Sequence, residues 1–256
     1  MTIVTRPNLQ EAESEQTDHV ARNYAERPLL VYWETTQACR LACRHCRAEA
    51  LPAPHPLQLN YPESRMLLQQ IAAFGEPLPH LVLTGGDPLE RTDLFDLIDA
   101  ANALGLSVSI TPAATEKLTR EVIARFKMHG IQSIGLSLDG SDAARHDAVR
   151  GVQGCFDRTI RAARWAAEFD LPIQINTLVS AETADDLPAI FDLLKTLKVM
   201  RWSLFFLIAV GRGRVLQEVS PERGEALMHW LYGLSHAAPF AVKTTEAPFF
   251  RRIALT

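Results

Sequence analysis

Short runs of branched and aromatic residues alternate along this chain with longer amphipathic stretches, and that alternation restricts the fold most strongly. The runs are LLVYWET (29–35), HLVLT (80–84), SVSIT (107–111), SIGLSLD (133–139), PIQINTLV (172–179) and RWSLFFLI (201–208). Between them PESRMLLQQIAAF (62–74), LFDLIDAANALG (94–105), TREVIARFKMHG (119–130), DRTIRAARWAAEF (157–169) and DDLPAIFDLLKTLK (185–198) carry apolar residues at helical spacing. PERGEALMHWLYGLSHA (221–237) predicts a final helix. Six strands joined by helix-bearing connections predict a parallel α/β sheet, because parallel neighbours need long crossovers. An open doubly wound sheet and a barrel-like sheet both satisfy this order. In both, ligands sit beyond the carboxyl ends of the strands, so candidate chemistry is sought there.

The bulk numbers exclude several function classes. A hydrophobic share of 47% with 22% charged residues is ordinary for a soluble globular chain of 256 residues, enough for one or two domains. A net charge of −4 leaves no basic footprint, so no nucleic-acid partner is expected. The longest apolar stretch, WSLFFLIAV (202–210), is too short to span a bilayer, and no membrane partner is expected. The first 27 residues mix Arg6, Glu11, Glu13, Glu15, Asp18 and Arg22 without an apolar run, which predicts no secretory signal. With four cysteines and no export signal, the thiols are expected to be reduced and the chain cytoplasmic.

Cys39, Cys43 and Cys46 follow the first strand as CxxxCxxC. Thiolates are soft ligands suited to zinc or iron–sulfur sites. A four-iron cubane normally takes four cysteines, so three would leave one iron free for another ligand. Arg40, Arg44 and Arg47 stand in the same loop and are expected to offset thiolate charge. A structural zinc with His55 as fourth ligand is the alternative; His45, between two cysteines on a short arc, is poorly placed for that.

This cysteine spacing at a first strand's end resembles the signature of the radical S-adenosylmethionine (SAM) superfamily. The resemblance implies an incomplete TIM-like barrel of six βα units. It also implies a 4Fe–4S cluster held by Cys39, Cys43 and Cys46, with the fourth iron chelated by SAM. TGGDPLE (84–90) stands where the family keeps a Gly-Gly-Glu stretch, implying contacts to the SAM amino group from Gly85, Gly86 and Asp87, the acid here one methylene shorter. LSLDGSDAARHDAVRG (136–151) reads on its own as a strand and turn leading into a solvated helix with His146, Asp147 and Arg150. It is also similar to the anaerobic sulfatase-maturating enzymes, which implies a SAM contact from Ser137 and a SAM carboxylate contact from Arg150. By the same resemblance His45 stacks on the adenine and Ile208 offers it backbone; strand alternation puts Asn176 and Thr111 on the same rim, as site residues or as satisfied polar residues. No catalytic residue beyond the cofactor site is assignable.

The implied activity is reductive cleavage of SAM to a 5′-deoxyadenosyl radical that abstracts hydrogen. The expected substrate is a ribosomal peptide or protein, or alternatively a haem or other tetrapyrrole precursor. The resemblance further implies an electron donor such as flavodoxin or ferredoxin. Residues 23–48 resemble the peptide-modifying and haem-synthesis subgroup, whose members carry an additional cysteine-rich SPASM domain. Beyond Cys46 this chain has only Cys155, expected as a buried thiol. The expected organisation is an N-terminal extension (1–28), a partial barrel (29–210), and a C-terminal helix and tail (211–256) that would begin a missing extension. A shortened, non-catalytic cluster- or zinc-binding protein is the remaining alternative.

Overall fold

The computed structural model describes residues 26–255, so nearly all of the expected N-terminal extension lies outside the described residues. One sheet contains seven strands in the order of the chain: β1 (Leu30–Glu34), β2 (His80–Thr84), β3 (Val108–Ile110), β4 (Ile134–Ser137), β5 (Ile173–Val179), β6 (Val199–Phe206) and β7 (Ala241–Thr245). Every neighbouring pair is parallel. A doubly wound sheet reverses its order at a switch point, whereas this order never reverses. The helices therefore lie on one face and the sheet curls into an incomplete barrel.

The helices are α1 (Tyr61–Ala72), α2 (Leu94–Ala103), α3 (Arg120–Met128), α4 (Ala143–Arg150), α5 (Cys155–Glu168), α6 (Leu187–Leu194), α7 (Pro221–Ala237) and α8 (Phe250–Leu255). Local chemistry sets their starts. Asn60 and Glu63 form a reciprocal capping box before α1, with Pro62 in its first turn, and Thr119 caps α3. The six expected strands are all present. The seventh and α8 correct the expectation that the helix at 221–237 is the last element before an irregular tail.

Two strand faces have opposite character. The outer face runs continuously apolar in register: Leu83 beside Ile110, Ile110 beside Ile134, Ile134 beside Ile173, then Leu136, Ile175, Trp202 and Val242. All are buried in one core with Leu68, Ile98, Phe126, Ile190 and Leu231 from the helices. Fully burying a side chain of this size stabilises by roughly 1.5–3 kcal/mol, and the wall is built from dozens of them. The inner face instead carries Thr84, Ser109, Ser137, Gln174, Asn176, Ser203 and Lys243. A complete TIM barrel fills its interior with branched apolar residues; this one sets these polar groups beside Tyr32, Val82 and Phe205 in a mixed lumen.

Candidate active site

The cysteine loop leaves β1 and crosses the carboxyl end of the sheet. Backbone bonds from Cys39 N to Leu51 O (2.8 Å), Gly86 N to Thr36 O (2.7 Å), Asp87 N to Ala38 O (2.7 Å) and Arg44 N to Val149 O (3.0 Å) fasten it. Gly85 and Gly86 make this possible. A Cβ on Gly85 would lie 2.4 Å from Thr36 O, and one on Gly86 would lie 2.3 Å from Ala38 O. Gly85 also has φ of 138°, open essentially to glycine alone. These glycines thus bring the chain close to itself, while still lining the hollow beneath the cysteines.

The three arginines do not gather round the thiols as expected. They are spread round the rim: Arg40 to Glu90 (3.1 Å), Arg44 to Glu182 (2.7 Å) and Arg47 to Glu246 (3.1 Å). The pairs follow β2, β5 and β7, so they fasten the loop across the mouth. The cation at the thiols is Arg150 instead, with Nη1 3.7 Å from Cys43 Sγ.

Cys39, Cys43 and Cys46 carry free thiols and line one open hollow of about 1690 Å³, counting its mouth. Among the described residues no three His, Cys, Asp or Glu side chains converge as ligands of a single ion; the thiols share a cavity rather than a point. Burial pushes the Cys39 thiol up to about 11, so the proton is held until a metal's charge replaces it. His55, the fourth ligand of the zinc alternative, lines a different hollow and accepts a hydrogen bond from Leu57 N (3.1 Å). Cys155 is buried in one cluster with Leu41, Ala114 and Cys43, against which Cys39 and Cys46 pack, but it does not line the hollow. Three soft donors facing one cavity, together with unpartnered buried nitrogens on His45 (Nδ1) and Arg150 (Nε), fit an iron–sulfur group and a polar nucleoside ligand.

Arg150 and His146 lie on α4, the helix expected to be solvated, yet both are buried. Arg150 Nη2 is 2.6 Å from Asp139 Oδ2, and Asp139 Oδ1 accepts from Leu178 N at 2.7 Å. Burial alone would raise the Asp139 pKa, but the Arg150 guanidinium, the neighbouring His45 and His146 and the Leu178 N–H together outweigh it and hold the carboxyl below its ordinary range. His146 Nδ1 accepts the Asp139 N–H (3.0 Å), and burial pushes the ring down to about 4. Asp147 caps α5, accepting from Gly154 N (2.6 Å) and Phe156 N (2.8 Å).

Ser137, Arg150 and His45 line both the thiol hollow and an adjoining pocket. That pocket also takes in Ile208 and Asn176, and Thr111 lines the hollow. Asp87 is not brought there. Fully buried, it accepts from Leu89 N (3.1 Å), Ala113 N (3.3 Å) and Thr115 Oγ1 (3.0 Å), so its carboxylate ties the ends of β2 and β3. Burial raises its pKa despite those bonds. Residues missed in the sequence include Arg212, which lines the hollow with Nε and Nη2 unpartnered, and Gln174, Ser203, Lys243 and Thr245 on the inner wall. Period-two alternation within QINTLV, RWSLFF and AVKTT puts the strand residues among them on one face, but only the curl of the sheet shows that this face is enclosed.

The model of the radical SAM superfamily matches residues 33–194. The chain is 34% identical over 226 residues to the AdoMet-dependent heme synthase of Methanosarcina barkeri, covering 88% of this chain and 64% of that relative. It is 30% identical to the PqqA peptide cyclase of Rhodopseudomonas palustris over 68% of this chain and 45% of the other. The crystal structure of Streptococcus suis SuiB bound to S-adenosylmethionine superposes with a TM-score of 0.70 at 20% identity, over 88% of this chain and 52% of SuiB, a likeness of fold. The chain therefore spans less than two thirds of the length of the heme synthases it matches. With a family match over more than half its length, the chain belongs to the radical SAM superfamily, whose members use SAM and an iron–sulfur cluster.

Proposed function

We propose that Cys39, Cys43 and Cys46 hold a 4Fe–4S cluster by three of its irons and that SAM takes the fourth. When bound, the reduced cluster and SAM supply a 5′-deoxyadenosyl radical that takes a hydrogen atom from substrate. The carrying observation is that three free thiols, two strand-end glycines, Ser137 and Arg150 open on a single hollow. In this reading Arg150, held in place by Asp139, presents its guanidinium to the SAM carboxylate, for which a planar fork is suited. Ser137 offers its hydroxyl, and the backbone of Gly85 and Gly86 receives the amino group. Asp87 acts at one remove, through the turn that it fastens. His45 packs beside the adenine and Ile208 offers backbone to it. An electron donor of the flavodoxin or ferredoxin type docks over the cysteine loop.

For substrate, the similarity to heme synthases over most of the chain supports a tetrapyrrole precursor. A peptide is the second reading, favoured by the match to a peptide cyclase. Anaerobic reconstitution tests the core claim: about four irons per chain and 5′-deoxyadenosine from SAM plus dithionite are expected. Colourless protein with one zinc per chain, or iron without SAM cleavage, overturns it.

A further inference from the structure

The inner wall of β5–β7 is layered by its register. Gln174 stands beside Arg201, Asn176 beside Ser203, and Ser203 beside Lys243. Successive inward positions thus place Lys243 in the lining of the hollow and Arg201 one layer below it, beside Gln174, under that lining. Arg201 has a single weak polar contact, Nη1 to Gln174 Oε1 at 3.4 Å, and its buried Nε has no partner. Ser203 Oγ and Thr245 Oγ1 on the same wall are also buried and unpartnered. Among the described residues the Lys243 ammonium makes no hydrogen bond or ion pair.

The charges on this wall are unbalanced. Half-buried Lys243 is pushed below the ordinary lysine range by burial first and by Arg201 second. His80, whose ring joins Ser107 (2.9 Å) and Ser109 (2.8 Å) on the neighbouring part of the floor, is lowered by the same two causes. Of the carboxylates facing the hollow, Glu246 is occupied by Arg47, and Glu34 stands on β1 at the far edge of the sheet. Two half-buried cations side by side without a counter-charge are unfavourable in the protein alone. An anionic ligand removes that cost and satisfies the idle hydroxyls.

We propose that Arg201 and Lys243, with Ser203 and Thr245, form a carboxylate-recognition wall in the lumen, and that the substrate is a small polycarboxylate anchored there with its reacting carbon towards the cysteine loop. This rests on the tetrapyrrole reading and adds which face of the barrel grips the acid side chains. A hydrogen-bonded charge pair is worth about tenfold or more in affinity.

The test is a fluorescence titration of the full chain with coproporphyrin, a tetrapropionate, and with its tetramethyl ester in matched detergent. The acid should bind at least about tenfold tighter than the ester. Lys243→Gln and Arg201→Gln should each weaken the acid by about tenfold and leave the ester unmoved. Lys195→Gln, on the outer helical layer, should change neither. Equal binding of acid and ester, no binding of either, or unaltered acid affinity in both wall variants overturns the wall. The wild-type ester comparison stands even if a variant misfolds. SAM cleavage, assayed separately, divides the failures: intact cleavage with equal acid and ester binding sinks the wall alone, and acid-selective binding without cleavage sinks the radical reading alone.

Discussion

Arg150 is held between a buried carboxylate and a thiol, so its removal leaves the buried Asp139 with the Leu178 N–H but without its counter-charge. Arg150→Met should cost about 3–5 kcal/mol in chemical denaturation; a loss below about 1 kcal/mol would mean the pair is solvated like a surface bridge. The cysteines separate by burial and aspect. Cys43→Ala should abolish iron uptake while circular dichroism remains native, and Cys155→Ala, whose thiol is buried against Ala114 and outside the hollow, should retain full iron. Unfolding of the first or iron loss in the second contradicts these roles. His146 gives a pH prediction. Its folded pKa is about 4 against an ordinary 6.5, because burial and the donated Asp139 N–H favour the neutral ring. The unfolded chain therefore takes the proton first, and stability falls as pH drops from 6.5 to 4, by about 3 kcal/mol at most from this group. His146→Gln should flatten part of that slope in denaturation series across the window, the other lowered histidines being His45, which burial also lowers to about 4, and His80, lowered by burial and by Arg201. An identical slope in the variant would remove His146 from the account.

At the scale of elements, the turn after β2 and the cysteine loop form one unit through backbone contact. Gly86→Ala would put a Cβ against Ala38 O, so the loop must move. We expect the variant to fold, because the outer core is untouched, and to bind iron weakly in reconstitution; full iron with native SAM affinity would contradict the packing role. The residues at this turn also show where the sequence was legible. Two glycines and an acid after a strand mark a place of close approach, but sequence alone does not say what approaches. Here it is the chain's own backbone, and Asp87 turns inward to neighbouring loops instead of outward to the hollow. The rim arginines follow the same pattern. Their placement in the loop was readable, whereas their partners after β2, β5 and β7 are 50, 138 and 199 residues away and exist only through the fold.

For the whole molecule, the alternation of strands and helices carries the parallel sheet, and the burial of its outer face follows from branched residues such as Ile134, Ile173 and Ile175. Strand β7 was missed because AVKTT is short and half polar, which is also what suits it to an open lumen. The inward positions were unreadable for the same reason: polar residues alternating in a strand look like a solvated face until the sheet curls round them. That curl gives the molecule its two-sided design, an apolar wall outside and a chamber inside where polar and apolar side chains mix, capped by a loop of thiols. The central claim is that the chamber's cap is a cluster with one iron open to SAM. Electron paramagnetic resonance of the reconstituted, dithionite-reduced protein, recorded before and after SAM is added, tests it most directly. The account predicts a reduced 4Fe–4S signal whose g-values shift on SAM addition in the native chain and are absent from Cys43→Ala; a cluster signal that SAM leaves unchanged would contradict it.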